Sequence, residues 1–500
     1  MKQGFKTKHK NGLCRLFKCQ LICYTVCGCC ISVIKFIIVS ITKAGYNLAF
    51  CLSNTLPYNL LNLKVLKRLP IWICLLMLLS SCSTKEDENL PEPTVYIQKT
   101  NEGYRLIRNG KPFFMNGAAA HENYLEELKE AGANTARIYD TTNLTATLDK
   151  AAELGLAVVV DIPMPKFNNA AMYYTDEALF NQVKNNVERV VKMHKDHPAL
   201  LYWNLGNELY YPYFYKRPQF FRRFNMLIDL IHNVDPNHPV STVTIGANKL
   251  RVLSIRLKSP QLDFISFNAF GTLSQFATKL KPISPLWNGP HVITEWGVNG
   301  PWEAELTRWR APLEETSTKK AEQITQRYRD YIVPLKDNNS LGSFVFYWGH
   351  KNEITPNWFS LFTADHKKTQ PVFELMKIWR EAPDTVYPGP EIEYILLNKK
   401  GALENIILEA GSWAVLEILL PEKEQKNLKY HWEIRQESWY DFHISNLVDG
   451  VDFNIDGENA RFKAPLKEGP YRVFLFISND TDYIATANIP FYVLSNEDAE

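Results

Sequence analysis

A chain of 500 residues with 46% hydrophobic content is long enough for a barrel of about 250 residues and a smaller module beside it. The formal charge is only +2, and Lys and Arg are interspersed with acids, which excludes the basic stripe that a nucleic-acid partner requires. All nine cysteines lie at or before Cys82, so the chain beyond it folds without disulfides. The cluster Cys27, Cys29 and Cys30 sits in an apolar run without a nearby His, which argues against a metal site.

Residues 1–82 read as a leader. Lys64, Lys67 and Arg68 precede the short apolar stretch Ile71 to Leu79, the pattern of a signal peptide. Its ending, Leu79-Ser80-Ser81-Cys82, resembles the lipobox of bacterial lipoproteins. That resemblance implies lipidation of Cys82 and a membrane partner, and the acidic segment after it resembles the export signal that sends some lipoproteins to the outer face of the bacterial outer membrane. An earlier apolar run at 19–41 is long enough to cross a bilayer, but residues 1–62 fit no part of a signal peptide, so translation is expected to start further along. Residues 83–94 are acidic and proline-containing, a tether too poor in apolar side chains to fold.

From Tyr104 the run YRLIRNGKPFF alternates about an Asn-Gly turn and predicts a hairpin. Eight short apolar, β-rich runs follow at 113–119, 133–139, 156–162, 199–205, 240–245, 262–268, 291–295 and 341–348. The segments between them carry helical periodicity, as in TATLDKAAELG and FFRRFNMLIDLIHNV. Near-continuous apolar strands alternating with amphipathic helices predict an α/β fold, a (β/α)8 TIM barrel over 95–386, with an open doubly wound sheet as the alternative. Past Tyr387-Pro388-Gly389-Pro390 the pattern becomes strand and turn, predicting a small all-β sandwich domain over 391–500. It resembles immunoglobulin-like or PKD-like modules, and a spacer or barrel-packing role is favoured over glycan binding.

A barrel of this kind places its chemistry at the carboxyl ends of the strands. Two glutamates fall there: Glu208, after ALLYWNLGN, and Glu295, ending HVITE. Cleavage of a glycosidic bond needs one carboxyl group to protonate the leaving oxygen and a second to attack or to activate water. The two motifs, three strands apart, supply both.

With RNGKPFFMNG, Arg137 in NTARIYD, HPALLYWNLGNE and ITEWG, the chain over about 95–382 resembles the (β/α)8 retaining glycoside hydrolases, most closely the catalytic domain of glycoside hydrolase family 2. The resemblance implies a β-linked glycan substrate, Glu208 as general acid/base, Glu295 as nucleophile, Asn207 as donor to the sugar 2-hydroxyl and Arg137 as the cation beside the nucleophile. It implies no cofactor and no metal.

His121 is expected to face the same cavity or to cap a helix, and Trp348 to floor the first sugar subsite. Trp296, Trp302 and Trp358 are rim aromatics, and Trp203 is core or platform. The sixth strand ends Asn268-Ala269-Phe270, where relatives often have Asn-x-Tyr and thus a hydroxyl for the nucleophile. The NTARIYD run also resembles β-1,3-glucanosyltransferases, which leaves transglycosylation open. A non-catalytic glycan-binding lipoprotein is the reading from another class.

Overall fold

Asn109 and Gly110 both take positive φ, 51° and 72°, the pair a type I′ turn demands. They join β2 (Gly103–Arg108) to β3 (Lys111–Pro112), and β2 also pairs antiparallel with β1 (Val95–Thr100). The computed structural model describes residues 93–165, 172–214, 216–437 and 446–495. The leader, Cys82 and nearly all of the tether lie outside the described residues.

After the hairpin come β4 (Met115–Ala120), β5 (Thr135–Ile138), β6 (Ala157–Ile162), β7 (Leu200–Leu205), β8 (Val240–Ser241), β9 (Val243–Ile245), β10 (Ile265–Asn268), β11 (His291–Trp296) and β12 (Ser340–Trp348). They form one parallel sheet in the order β8-β7-β6-β5-β4-β12-β11-β10-β9. Its two ends, β8 and β9, are halves of a single strand interrupted at Thr242, so the sheet closes into a barrel of eight strands. β6, β7 and β11 are buried at every position, which is why they read as unbroken apolar runs.

Helices between the strands begin where the sequence supplies caps. Asp176 accepts from the amide of Leu179 at the start of Glu177–His194, and Asn248 and Thr316 do the same for Lys249–Lys258 and Ser317–Arg327. Pro218 and Pro371 occupy first-turn positions of Pro218–Val234 and Gln370–Trp379. Their apolar faces meet the strands in one large core that includes Val158, Leu205, Phe224 and Val345.

Met115, Val159, Leu201, Tyr202, Val292 and Phe344 fill the barrel interior, and Val95 and Leu106 of the hairpin join that cluster. The hairpin therefore packs against the inner core rather than against the helices. Each fully buried Val, Leu or Phe contributes roughly 1.5–3 kcal/mol, so the filled interior is a rigid floor for the opposite rim.

The C-terminal strands form a sheet ordered β13-β22-β21-β17-β18 and a second ordered β14-β16-β20-β19, packed on a core of their own that includes Leu416, Trp432, Phe462, Val473 and Phe491. These are β13 (Lys368–Thr369), β14 (Tyr394–Leu397), β16 (Trp413–Leu419), β17 (Lys429–Gln436), β18 (Asn446–Leu447), β19 (Asn454–Asp456), β20 (Asn459–Lys463), β21 (Gly469–Ser478) and β22 (Tyr483–Leu494), with β15 (Ile407–Glu409) also pairing with β22. The fold is a TIM barrel followed by an all-β unit.

Candidate active site

Arg137 is the hub. It lies near the end of β5, is wholly buried, and spends its guanidinium on groups at the ends of β6, β7, β11 and, at 3.5 Å from Nη1 to Oδ1 of Asn268, β10. Nε and Nη2 donate to the two carboxylate oxygens of Asp161 at 3.1 and 2.6 Å, a bidentate pair. Nη2 also donates to Oδ1 of Asn207 at 2.9 Å. Nη1 donates to Oε1 of Glu295 at 2.9 Å and to the carbonyl of Thr294 at 3.0 Å. Burial opposes this charge, but Asp161, Tyr139 and Glu295 outweigh it and hold the Arg137 pKa well above the ordinary value.

Tyr139, two residues along on the same face of the strand, donates from its hydroxyl to that same Oε1 at 2.8 Å and accepts from Arg137 Nη1 at 3.1 Å. Burial, only partly offset by Arg137, keeps the phenol protonated far above neutrality. Two donors thus converge on Oε1 of Glu295, while among the described residues none reaches Oε2. Burial pushes the Glu295 carboxyl up to about 7, against Arg137 and with Glu208 adding in the upward direction.

Glu208 is held from the other side. Nδ2 of Asn268, the last residue of β10, donates to Glu208 Oε1 at 2.8 Å and to Asn207 Oδ1 at 3.1 Å, while its Oδ1 accepts from Thr294 Oγ1 at 3.0 Å. Because Oδ1 of Asn207 already receives two donors, Nδ2 is the end of that amide left outside the network. Glu208 itself has φ 55°, a left-handed conformation that costs a side-chain-bearing residue roughly 1–2 kcal/mol. The backbone is clamped there: Glu208 donates its amide to Val243, and Val243 donates to Gly206. Gly206, at φ 78°, has no room for a Cβ, which would meet the Leu209 side chain at 2.6 Å.

One hydrogen-bonded chain therefore runs Glu295, Arg137, Asn207, Asn268, Glu208, uniting five residues singled out in the sequence. Tyr139 and Asp161 belong to it and were not read there. Both left a signal. Asp161 is the one charge in the buried strand Ala157–Ile162, beside the strand bearing Arg137, and Tyr139 shares a face with Arg137.

The remaining expectations divide. His121 stays apart from this chain: its Nδ1 accepts from the amide of Asn123 and caps the turn Glu122–Tyr124, the second of the roles expected for it. Trp348 does not floor a sugar subsite. It is 0% exposed, donates from Nε1 to the carbonyl of Tyr124, and packs on Phe362 and Trp379. A register shift between Phe346 and Trp348 against β4 puts it on the helix side of the strand. Trp296 is not on the rim either: it follows the inward Glu295, faces outward against Tyr328, and is 1% exposed. Trp203 is core, bonded to Asp235, and Trp358 is buried, bonded to Asn299. Trp302 alone of these stands exposed on the rim. Lys351, after β12, pairs with Glu353 at 2.8 Å and adds a cation whose field reaches Glu295.

The family model "Glycosyl hydrolases family 2, TIM barrel domain" matches residues 123–381, which contain every member of this network. The chain belongs to glycoside hydrolase family 2. Among proteins similar to this family 2 chain are the β-glucuronidase of Sus scrofa, 25% identical over 187 residues (33% of this chain, 26% of that protein), and that of Homo sapiens, 22% identical over 337 residues (59% and 48%). The chain thus spans between about a quarter and about half of these curated relatives. A β-D-glucuronidase from Dictyoglomus thermophilum is similar in structure, with 19% identity, a TM-score of 0.45 and coverage of 58% of this chain and 54% of that one.

Proposed function

We propose that this family 2 chain is a retaining β-glycosidase acting by double displacement. The observation that carries the reading is the asymmetric hold on Glu295: Oε1 is clamped by Arg137 and Tyr139, and Oε2 is left to react. Oε2 attacks the anomeric carbon as the glycosidic C–O bond breaks, and protonated Glu208 gives its proton to the departing oxygen. Glu208 then takes a proton from water, which attacks the same carbon and releases Glu295. Asn207, its Oδ1 occupied, offers Nδ2 to a sugar hydroxyl beside the reacting carbon. Two opposite-face displacements return the original configuration. No cofactor enters this scheme.

The test is turnover of a panel of aryl β-glycosides by the protein and by its Glu295→Ala and Glu208→Ala variants, with products followed by NMR. The names of the relatives put the β-glucuronide first in that panel. The expected result is β-configured product, lost in Glu295→Ala and partly restored there by azide as the α-glycosyl azide. Turnover indifferent to both substitutions overturns the reading.

For location we infer a lipid anchor on Cys82 at the surface of a bacterial outer membrane, supported by the Leu79-Ser80-Ser81-Cys82 sequence and the acidic tether after it. Mass spectrometry of the protein from membranes tests this, and an unmodified Cys82 thiol sinks it.

A further inference from the structure

Trp302, on the segment after β11, is 63% exposed, yet that segment is held firmly. Oε2 of Glu303 accepts from the backbone amides of Gly271 at 2.9 Å and Gly300 at 3.0 Å, tying it to the turn after β10. Trp358 donates to the carbonyl of Asn299 at 2.9 Å, and Arg327 donates to Gly297 and Asn299. Gly300 lies so close beneath the indole that a Cβ there would sit 2.4 Å from the ring. Phe270 meets the ring nearly perpendicular at 5.7 Å, and Phe359 at 6.0 Å completes the support.

Two further exposed aromatics carry cations over their rings: Arg217 lies 6.0 Å from Tyr210, and Lys463 5.3 Å from Trp413. Among the described residues no cation lies over Trp302. Its position is also connected to the chemistry, since Phe270 follows by two residues the Asn268 that holds Glu208.

We propose that Trp302 is the stacking platform of a distal sugar subsite. Resting on the glycosidase reading, this makes the substrate a β-linked oligosaccharide or polysaccharide rather than a lone glycoside. A pyranose ring has one face of C–H groups that gains by covering a flat apolar ring while its hydroxyls stay hydrated. A platform already fixed by Gly300, Phe270 and Phe359 loses little freedom when a sugar lands on it.

The test is calorimetric titration of the full chain bearing Glu295→Gln, with and without Trp302→Ala, using cello-, laminari-, xylo- and mannotetraose and the corresponding monosaccharides. Wild-type turnover of the aryl glycosides is measured alongside. The expected result is a tetraose bound about tenfold more weakly without the indole, with partial recovery in Trp302→Phe. Turnover of an aryl glycoside with no tetraose bound, or with one bound equally by both proteins, overturns the subsite and spares the glycosidase. Neither turnover nor binding overturns both.

Discussion

Tyr139 donates its hydroxyl to the very oxygen of Glu295 that Arg137 already holds. The hydroxyl that a tyrosine at the end of the sixth strand would bring is supplied here from the second, while Phe270 of the sixth-strand end turns to the aromatic cluster under Trp302.

Removing that hydroxyl in Tyr139→Phe should lower kcat/KM by about 10- to 100-fold, since a hydrogen bond to a charged group contributes roughly 1.5–3 kcal/mol. The bond also holds the Glu295 pKa down, so its loss should move the acid limb of the pH–rate profile to higher pH. A profile that keeps its position while activity falls would reduce Tyr139 to packing.

Asn268 touches Glu208 and braces Asn207, so Asn268→Ala should cost roughly 10-fold in kcat/KM by leaving the half-buried carboxyl group of Glu208 less well held. Acid assistance matters least for good leaving groups. The defect should therefore shrink on a dinitrophenyl glycoside relative to a methyl glycoside, and an equal defect on both would place the effect elsewhere.

Stability against pH should show two buried groups of opposite sign. Burial among Phe267, Phe276 and Trp287 draws His291 down from 6.5 to about 4, so its contribution is complete above about pH 6.5 and is lost as pH falls toward 4. Glu295 is raised from 4.5 to about 7. Its folded form keeps a proton that the unfolded chain has released, so its contribution is complete below about pH 4.5 and declines as pH rises to about 7. The slopes offset each other between these limits. Glu295→Gln should make the thermal midpoint climb more steeply with pH there, and His291→Gln should make it fall. Midpoint curves parallel to that of the parent protein would refute the assignment.

Arg472 of β21 joins the C-terminal sandwich to the barrel rim after β11. It donates to Glu437 at 2.7 Å, Asn488 at 2.5 Å and the carbonyl of Pro312 at 2.6 Å. Asn488 donates to Glu314 at 2.7 Å, which also receives Lys320 at 2.5 Å and Thr355 at 2.7 Å. Arg472→Ala strands the buried Glu437 and should cost about 3–5 kcal/mol in chemical denaturation. Loss within the noise of surface substitutions would show the contacts to be replaceable.

The eight barrel strands were legible because parallel strands buried on both faces leave continuous apolar runs, as VVVDI and LLYWNL do. The positions of Glu208 and Glu295 were legible because polar residues ending such runs must emerge at one rim. Trp348 and Trp296 were misplaced for a reason of geometry. Adjacent strand residues face opposite ways, and a register slip before Trp348 changes which way the next ring turns, which the run FVFYW does not disclose. Tyr139 and Asp161 needed a pairwise argument: a buried guanidinium must find its anions on neighbouring strands.

The chain Arg472, Asn488, Glu314, Thr355 has a consequence for how this protein can be taken apart. The sandwich grips the rim segment after β11 through buried polar groups, Arg472 on Pro312 and Asn488 on Glu314, and Glu314 in turn holds Thr355 of the segment after β12. A protease cut in the connecting 382–391 stretch should therefore yield two fragments that stay together and elute as one particle, parted only by denaturant. The sandwich is in that respect less an appended module than a second wall of the barrel mouth, and a family 2 barrel trimmed of it would have to be given other partners for Pro312 and Glu314.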